Sequence, residues 1–137
     1  MLTNLDHIAF ASRSLEQAGN VLRLLGMIHE GTEEVPSQGV RVSLFRIGDT
    51  HIEVLEPASP ESPLTKFLDQ RGPGFHHVAF QTDDLAGDIA ALREKGFTFI
   101  DERPRRGAQG KLIAFLHPRS TGNALMELCE AAKSEKG

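Results

Sequence analysis

The 137-residue sequence predicts an α+β fold built from two tandem βαβββ modules. Two observations carry this. A segmental repeat runs through the chain at a displacement of 70 residues, and each copy reads as a strand, then a helix, then three β-like stretches. Leu5-Asp6-His7-Ile8-Ala9-Phe10 returns as Phe75-His76-His77-Val78-Ala79-Phe80, and the same offset carries Leu15 onto Leu85, Leu22 onto Leu92, Gly26 onto Gly96 and Phe45 onto Phe115. After a small change of length, Ile52-Glu53-Val54-Leu55-Glu56 matches Met126-Glu127-Leu128-Cys129-Glu130 at an offset of 74. Matches in one order at one offset point to an internal duplication.

The elements follow in order. Residues 4–11 form a short apolar strand. Ser14-Leu15-Glu16-Gln17 is a capping box, and Leu15, Ala18, Leu22 and Leu25 make an apolar stripe at helical spacing, ended by Gly26. Three β-like stretches lie at 27–33, 40–47 and 50–56, with Gly48-Asp49 as the tight turn between the last two. The segment 57–73 holds four prolines and a short helix from Pro63 to Gln70. The second copy repeats the pattern. Its strand is 74–81, Asp84 caps a helix striped by Leu85, Ile89 and Leu92, and Gly96 stops it. The stretches 97–102, 111–117 and 123–130 complete the copy. The expected organisation is one domain over 1–137, with modules 4–56 and 74–130 and a linker at 57–73.

Composition narrows the function. A formal net charge of −4 gives no field attractive to nucleic acid. No apolar run reaches the ~18 residues of a membrane span. The single cysteine, Cys129, excludes an intramolecular disulfide and suits a reducing, cytoplasmic setting, and the chain's start lacks the pattern of a signal segment. The expected partner is therefore a small molecule, with neither nucleic acid nor membrane.

One pair of histidines, His7 and His77, and one pair of last-strand glutamates, Glu53 and Glu127, occupy matched positions of the repeat. If the halves pack about a pseudo-twofold axis, these four converge as His₂Glu₂, a donor set suited to Co²⁺, Ni²⁺, Mn²⁺, Fe²⁺ or Zn²⁺ rather than Ca²⁺. Taken singly, a strand histidine is more often a core residue with one hydrogen bond, and a strand glutamate more often faces water. The matched placement favours ligation for all four. Strand alternation turns His76 to the face opposite His77, away from the site. His51 shares the face of Glu53, as a partner of the site or a solvated residue; His117 stands at a strand end; His29 reads as a surface residue without a partner. Cys129 reads as a small buried hydrophobe.

The paired modules with this His/Glu/His/Glu set resemble the vicinal oxygen chelate superfamily, which includes glyoxalase I, extradiol dioxygenases and drug-resistance proteins. Within it the sequence is most similar to the methylmalonyl-CoA epimerase family over almost its whole length. The stretches that carry this are Asp6-His7-Ile8-Ala9, Gln38-Gly39-Val40, Ile52-Glu53-Val54-Leu55-Glu56-Pro57, Ser62-Pro63-Leu64-Thr65-Lys66-Phe67-Leu68, Gly74-Phe75-His76-His77-Val78-Ala79-Phe80 and Phe115-Leu116-His117-Pro118-Arg119-Ser120. The resemblance implies a curved eight-stranded mixed sheet around a metal-binding cleft. It implies a divalent ion, Co²⁺ first in vitro, held by His7, Glu53, His77 and Glu127, and proton exchange at C2 of a malonyl-type acyl-CoA with Glu53 and Glu127 as the bases on opposite faces of an enolate. It further implies a homodimer and substrate contacts from Gln38, Arg106, Gly107, Lys111, His117 and Ser120. Arg103, Arg105, Arg106, Lys111 and Arg119 are the local cations an anionic coenzyme needs, or else a solvated loop. Some epimerases of the family have an amide where Glu53 stands and take a base from the preceding strand, where Val42 stands, so Glu53 here is expected to combine the roles, as metal ligand, base, or both by displacement when substrate binds. Two alternatives remain: a glyoxalase-type isomerase of a glutathione hemithioacetal, and a metal-free binding protein.

Overall fold

The computed structural model describes residues 1–131. Its α+β order is β1 (Leu2–Ala11), α1 (Leu15–Leu24), β2 (Ile28–Val35), β3 (Val40–Ile47), β4 (Thr50–Pro57), α2 (Pro63–Arg71), β5 (Gly74–Thr82), α3 (Leu85–Glu94), β6 (Arg105–Arg106), β7 (Leu112–Leu116) and β8 (Met126–Glu130). Pairing is mixed, with parallel β1–β4 and β5–β8 and antiparallel neighbours elsewhere in the ladders β2–β3–β4 and β6–β7–β8. Among the described residues no helix is long and apolar enough to cross a membrane.

The chain divides into two compact units, one of His7–His77 and one of Met1–Asp6 with the chain from Val78 onward. The division does not follow the repeat. It cuts through β1 and β5, so each of these strands gives residues to both units.

In the unit His7–His77 the strand order is β2-β3-β4-β1-β5. Residues paired across strands share a face, so Ala9, Glu53 and Leu44 lie on one side, while Ser43, Phe45 and Val54 lie on the other. The second side carries α1. Gly19 of that helix sits against the fully buried Phe45, where a Cβ would come 3.2 Å from the ring. The helix begins as expected, with the Gln17 amide donating to Ser14 Oγ at 3.2 Å. The expected stripe is shorter than predicted: Leu15, Ala18 and Leu22 are half-buried, but Leu25 is 69% exposed because it stands beyond the last helical turn. Helix α2 starts at Pro63, capped by Ser62, and buries Leu64 and Leu68. Full burial of a leucine is worth roughly 1.5–3 kcal/mol, enough to anchor a helix this short.

In the other unit the order is β1-β5-β8-β7-β6. Helix α3 lays Leu85 and Ile89 on a core of Phe99, Ala114, Leu116 and Leu128. The expected strand at 97–102 does not form. It is reduced to a single bridge, Phe99 with Leu116, and the short strand beside β7 is Arg105–Arg106 instead. The cause is local. The Asp101 carboxylate accepts the Phe115 amide at 2.7 Å, taking the place of a ladder carbonyl, and Pro104 has no N–H to continue the pairing. The last strand also starts later than 123, because Thr121 to Asn123 are spent in a turn in which Asn123 takes φ 73°.

Candidate metal centre

Strand alternation decides which side chains can meet. On β1, His7 and Ala9 point the same way; on β4, His51 stands opposite His7 and Glu53 opposite Ala9. His77 comes from β5, the neighbour of β1. The outcome is a buried group within one unit. His7 Nε2 lies 3.1 Å from His77 Nε2 and 3.4 Å from Glu53 Oε1, with the two imidazoles edge-on at 78°. His7, Glu53 and His77 are 4%, 6% and 1% exposed.

Burial holds the pKa of His77 well below the ordinary histidine range, and the neighbouring His7 and His76 lower it further. The ring is therefore neutral at pH 7, the form that ligates metals. The donor spacing also fits an ion. Two donors that share one ion at ~2.1 Å would stand no more than about 4 Å apart, a condition that His7 Nε2 and His77 Nε2 meet at 3.1 Å. Two imidazoles and a carboxylate fit a first-row divalent ion, whereas Ca²⁺ wants oxygens only.

Glu127 is placed by the other unit in the same way. On β8 it stands opposite Ala79 of β5 and Phe115 of β7, just as Glu53 stands opposite Ala9 of β1 and Leu44 of β3. His7 and His77 each precede their alanine by two residues. The repeat detected in sequence is thus a repeat of ladder positions. Glu127 is 2% exposed, and among the described residues His7, His77 and Glu127 are buried side chains that each offer one ligand atom to a metal. Two places further along β8, Cys129 is fully buried; burial, and after it Asp6 and Glu127, push its thiol pKa far up, which leaves it an uncharged hydrophobe as expected.

The remaining expected residues fall into separate settings. Lys111 Nζ grips both oxygens of the buried Asp6, at 2.8 and 3.0 Å. Arg106 donates to the Gly110 carbonyl at 2.6 Å and the Gly107 amide to the Lys111 carbonyl at 2.9 Å, so this loop closes on itself. His117 Nδ1 accepts the Arg119 amide, and Ser120 Oγ accepts the Thr98 amide, which ties a 3-10 turn to the segment after α3. Gln38 lies in the turn between β2 and β3, its amide on the Val35 carbonyl. Val42 is buried and pairs with Leu55 on the face that carries Glu53.

Three histidines differ from expectation. His51, although on the face of Glu53, bonds Glu30 at 2.9 Å, and Glu30 is shared with Arg46; His51 belongs to this outer cluster. His29 is exposed but has a partner, Ser43 Oγ at 2.9 Å. His76 does turn away, its ring against Phe67 of α2 at 4.7 Å, yet its Nδ1 lies 2.8 Å from His77 Nδ1. The alternation rule assigns faces to ring centroids. It overlooks that Nδ1 sits one bond from Cγ, near the strand axis, where neighbouring residues on opposite faces can still touch. The Asp6–Lys111 pair had no signal in the sequence, since 105 residues separate its partners.

The model of the Glyoxalase/Bleomycin resistance protein/Dioxygenase superfamily matches residues 6–115. An uncharacterized protein of Bacillus subtilis (strain 168) is 39% identical over 130 residues, 94% of this chain and 93% of its own length. The mitochondrial methylmalonyl-CoA epimerase of Mus musculus is 34% identical over 132 residues, 95% of this chain and 74% of its own. A solved methylmalonyl-CoA epimerase in complex with methylmalonyl-CoA and NH4+ superposes with a TM-score of 0.92 at 35% identity, covering 100% of both chains.

Proposed function

This chain belongs to the Glyoxalase/Bleomycin resistance protein/Dioxygenase superfamily, and from that premise we propose that it is a metal-dependent epimerase interconverting (2R)- and (2S)-methylmalonyl-CoA. The observation that carries the reading is the buried His7–Glu53–His77 group, in a chain whose relatives include enzymes named for this reaction. His7, Glu53, His77 and Glu127 hold the divalent ion, Co²⁺ in vitro. Bound there, it supplies Lewis acidity to the thioester carbonyl.

The chain's own residues do the rest. Inversion at C2 needs a base on each face of the planar carbanion equivalent, one to remove the proton and the other to return it. Glu53 and Glu127 are the equivalent carboxylates of the two repeats and take these roles. Val42, an aliphatic side chain, leaves no carboxylate at its position on β3, so Glu53 serves as both ligand and base. Gln38, Arg106, Gly107, Lys111, His117 and Ser120 are proposed to bind the carboxylate and coenzyme parts of the substrate. The same reading expects a homodimer in the cytoplasm.

The test is proton exchange. With Co²⁺ in D₂O, the protein is expected to replace the C2 hydrogen of methylmalonyl-CoA by deuterium. An absence of exchange together with turnover of a glutathione hemithioacetal would replace this reading by the glyoxalase-type one.

A further inference from the structure

We propose that His76 is a positioning residue for His77, accepting the His77 Nδ1–H on its own Nδ1 and so keeping the His77 Nε2 lone pair turned toward His7. The inference rests on the metal reading above and adds a residue that strand alternation had set aside.

Three contacts run in series: Glu53 Oε1 to His7 Nε2 at 3.4 Å, His7 Nε2 to His77 Nε2 at 3.1 Å, and His77 Nδ1 to His76 Nδ1 at 2.8 Å. His77 Nε2 faces His7 Nε2 at 3.1 Å in the buried group that the metal reading gives to the ion, and an imidazole nitrogen that ligates a metal is bare. A neutral imidazole bare at Nε2 holds its proton on Nδ1, and the atom waiting 2.8 Å away is His76 Nδ1. His76 is therefore protonated on Nε2.

The ring of His76 is itself held. It meets the edge of Phe67 at 66°, and the Arg71 guanidinium stands 5.5 Å over that same Phe67. Helix α2 thus fixes His76, and His76 fixes the tautomer and rotation of His77. Metal-ligating histidines commonly have their other nitrogen secured in this way, and loss of the partner weakens metal binding 10–100-fold.

The experiment uses the full chain labelled with ¹⁵N-histidine. In the metal-free protein, long-range ¹H–¹⁵N correlation is expected to place the His77 proton on Nδ1. His76→Phe keeps the ring against Phe67 but removes the acceptor, and should bind Co²⁺ at least about 10-fold more weakly. His76→Asn returns an acceptor oxygen near the place of Nδ1 and should recover most of the affinity. A His77 proton on Nε2 in the unsubstituted protein, or unchanged Co²⁺ affinity in His76→Phe, would overturn the inference. If His76→Phe does not fold, the spectrum of the unsubstituted protein and the affinity of His76→Asn decide it. Should the unsubstituted protein bind no Co²⁺, the metal reading fails, while the tautomer of His77 still tests the inference.

Discussion

Glu53 and Glu127 are the two residues whose chemistry can be separated by experiment. They hold equivalent ladder positions and are almost equally buried, at 6% and 2% exposure, so replacing either with the isosteric glutamine changes charge with little change of volume. If each serves one face of the substrate, either Gln variant loses epimerisation, by about 10²-fold or more. The surviving carboxylate can still remove and return a hydrogen on its own face. Each variant is therefore expected to exchange the C2 hydrogen of one enantiomer in D₂O without inverting it, and the two variants should prefer opposite enantiomers. NMR on the separate enantiomers checks this, and epimerisation at the native rate in either variant would exclude that carboxylate as a base. The repeat singles these two residues out as a pair in the sequence, and the structure gives them equivalent buried ladder positions. The contact of His76 with His77 has no such signal, because it depends on the reach of one ring nitrogen, a scale finer than any periodicity.

Among the elements, α3 shows how far capping rules carry and where they stop. Asp84 was expected to cap it, and its carboxylate does accept the Gly87 amide at 3.1 Å. The glycine is needed there, since a Cβ at position 87 would stand 2.1 Å from Asp84 Oδ2. In most helices glycine to alanine stabilises by about 1 kcal/mol, and loss of an aspartate cap costs about the same. Gly87→Ala should therefore be close to neutral alone, because it displaces the cap, but stabilising by about 1 kcal/mol when added to Asp84→Ala. Urea unfolding of the four proteins measures this coupling, and simple additivity would disprove the clash. The strand expected at 97–102 failed for a reason of a similar kind. Its apolar residues mark a β-like stretch in the sequence, but the Asp101 side chain, invisible to a periodicity rule, takes the ladder position at Phe115.

At the scale of the whole molecule, acid stability follows from the buried histidines. Burial, and after it the Arg71 guanidinium, hold the pKa of His76 at about 4, below the ordinary 6.5, and His77 is lowered as well. In the metal-free protein the folded state thus refuses protons that the unfolded chain accepts. Stability is full above about pH 6.5 and falls as the pH drops toward about 4, and His76 alone contributes on the order of 3 kcal/mol to that loss. Urea titrations of chelated protein at pH 7.5 and 4.5 should show it, with a smaller loss in His76→Phe; equal losses would remove His76 as the source. The βαβββ order and eight strands were predictable from the repeat. The compact units were not, because the strand that opens each repeat is shared between them.

That sharing bears on how the chain can assemble. The residues from His7 to His77 are contiguous, so everything this unit requires has been synthesised once His77 is in place. Met1–Asp6, by contrast, belong with residues that begin at Val78, more than seventy positions away. Pairing Met1–Asp6 with that later segment closes a long loop, and contacts of such separation are the ones that slow folding. A cut in the segment before Gly74 would leave neither fragment with a whole unit, so the two repeats, though alike in plan, are not independent folding modules.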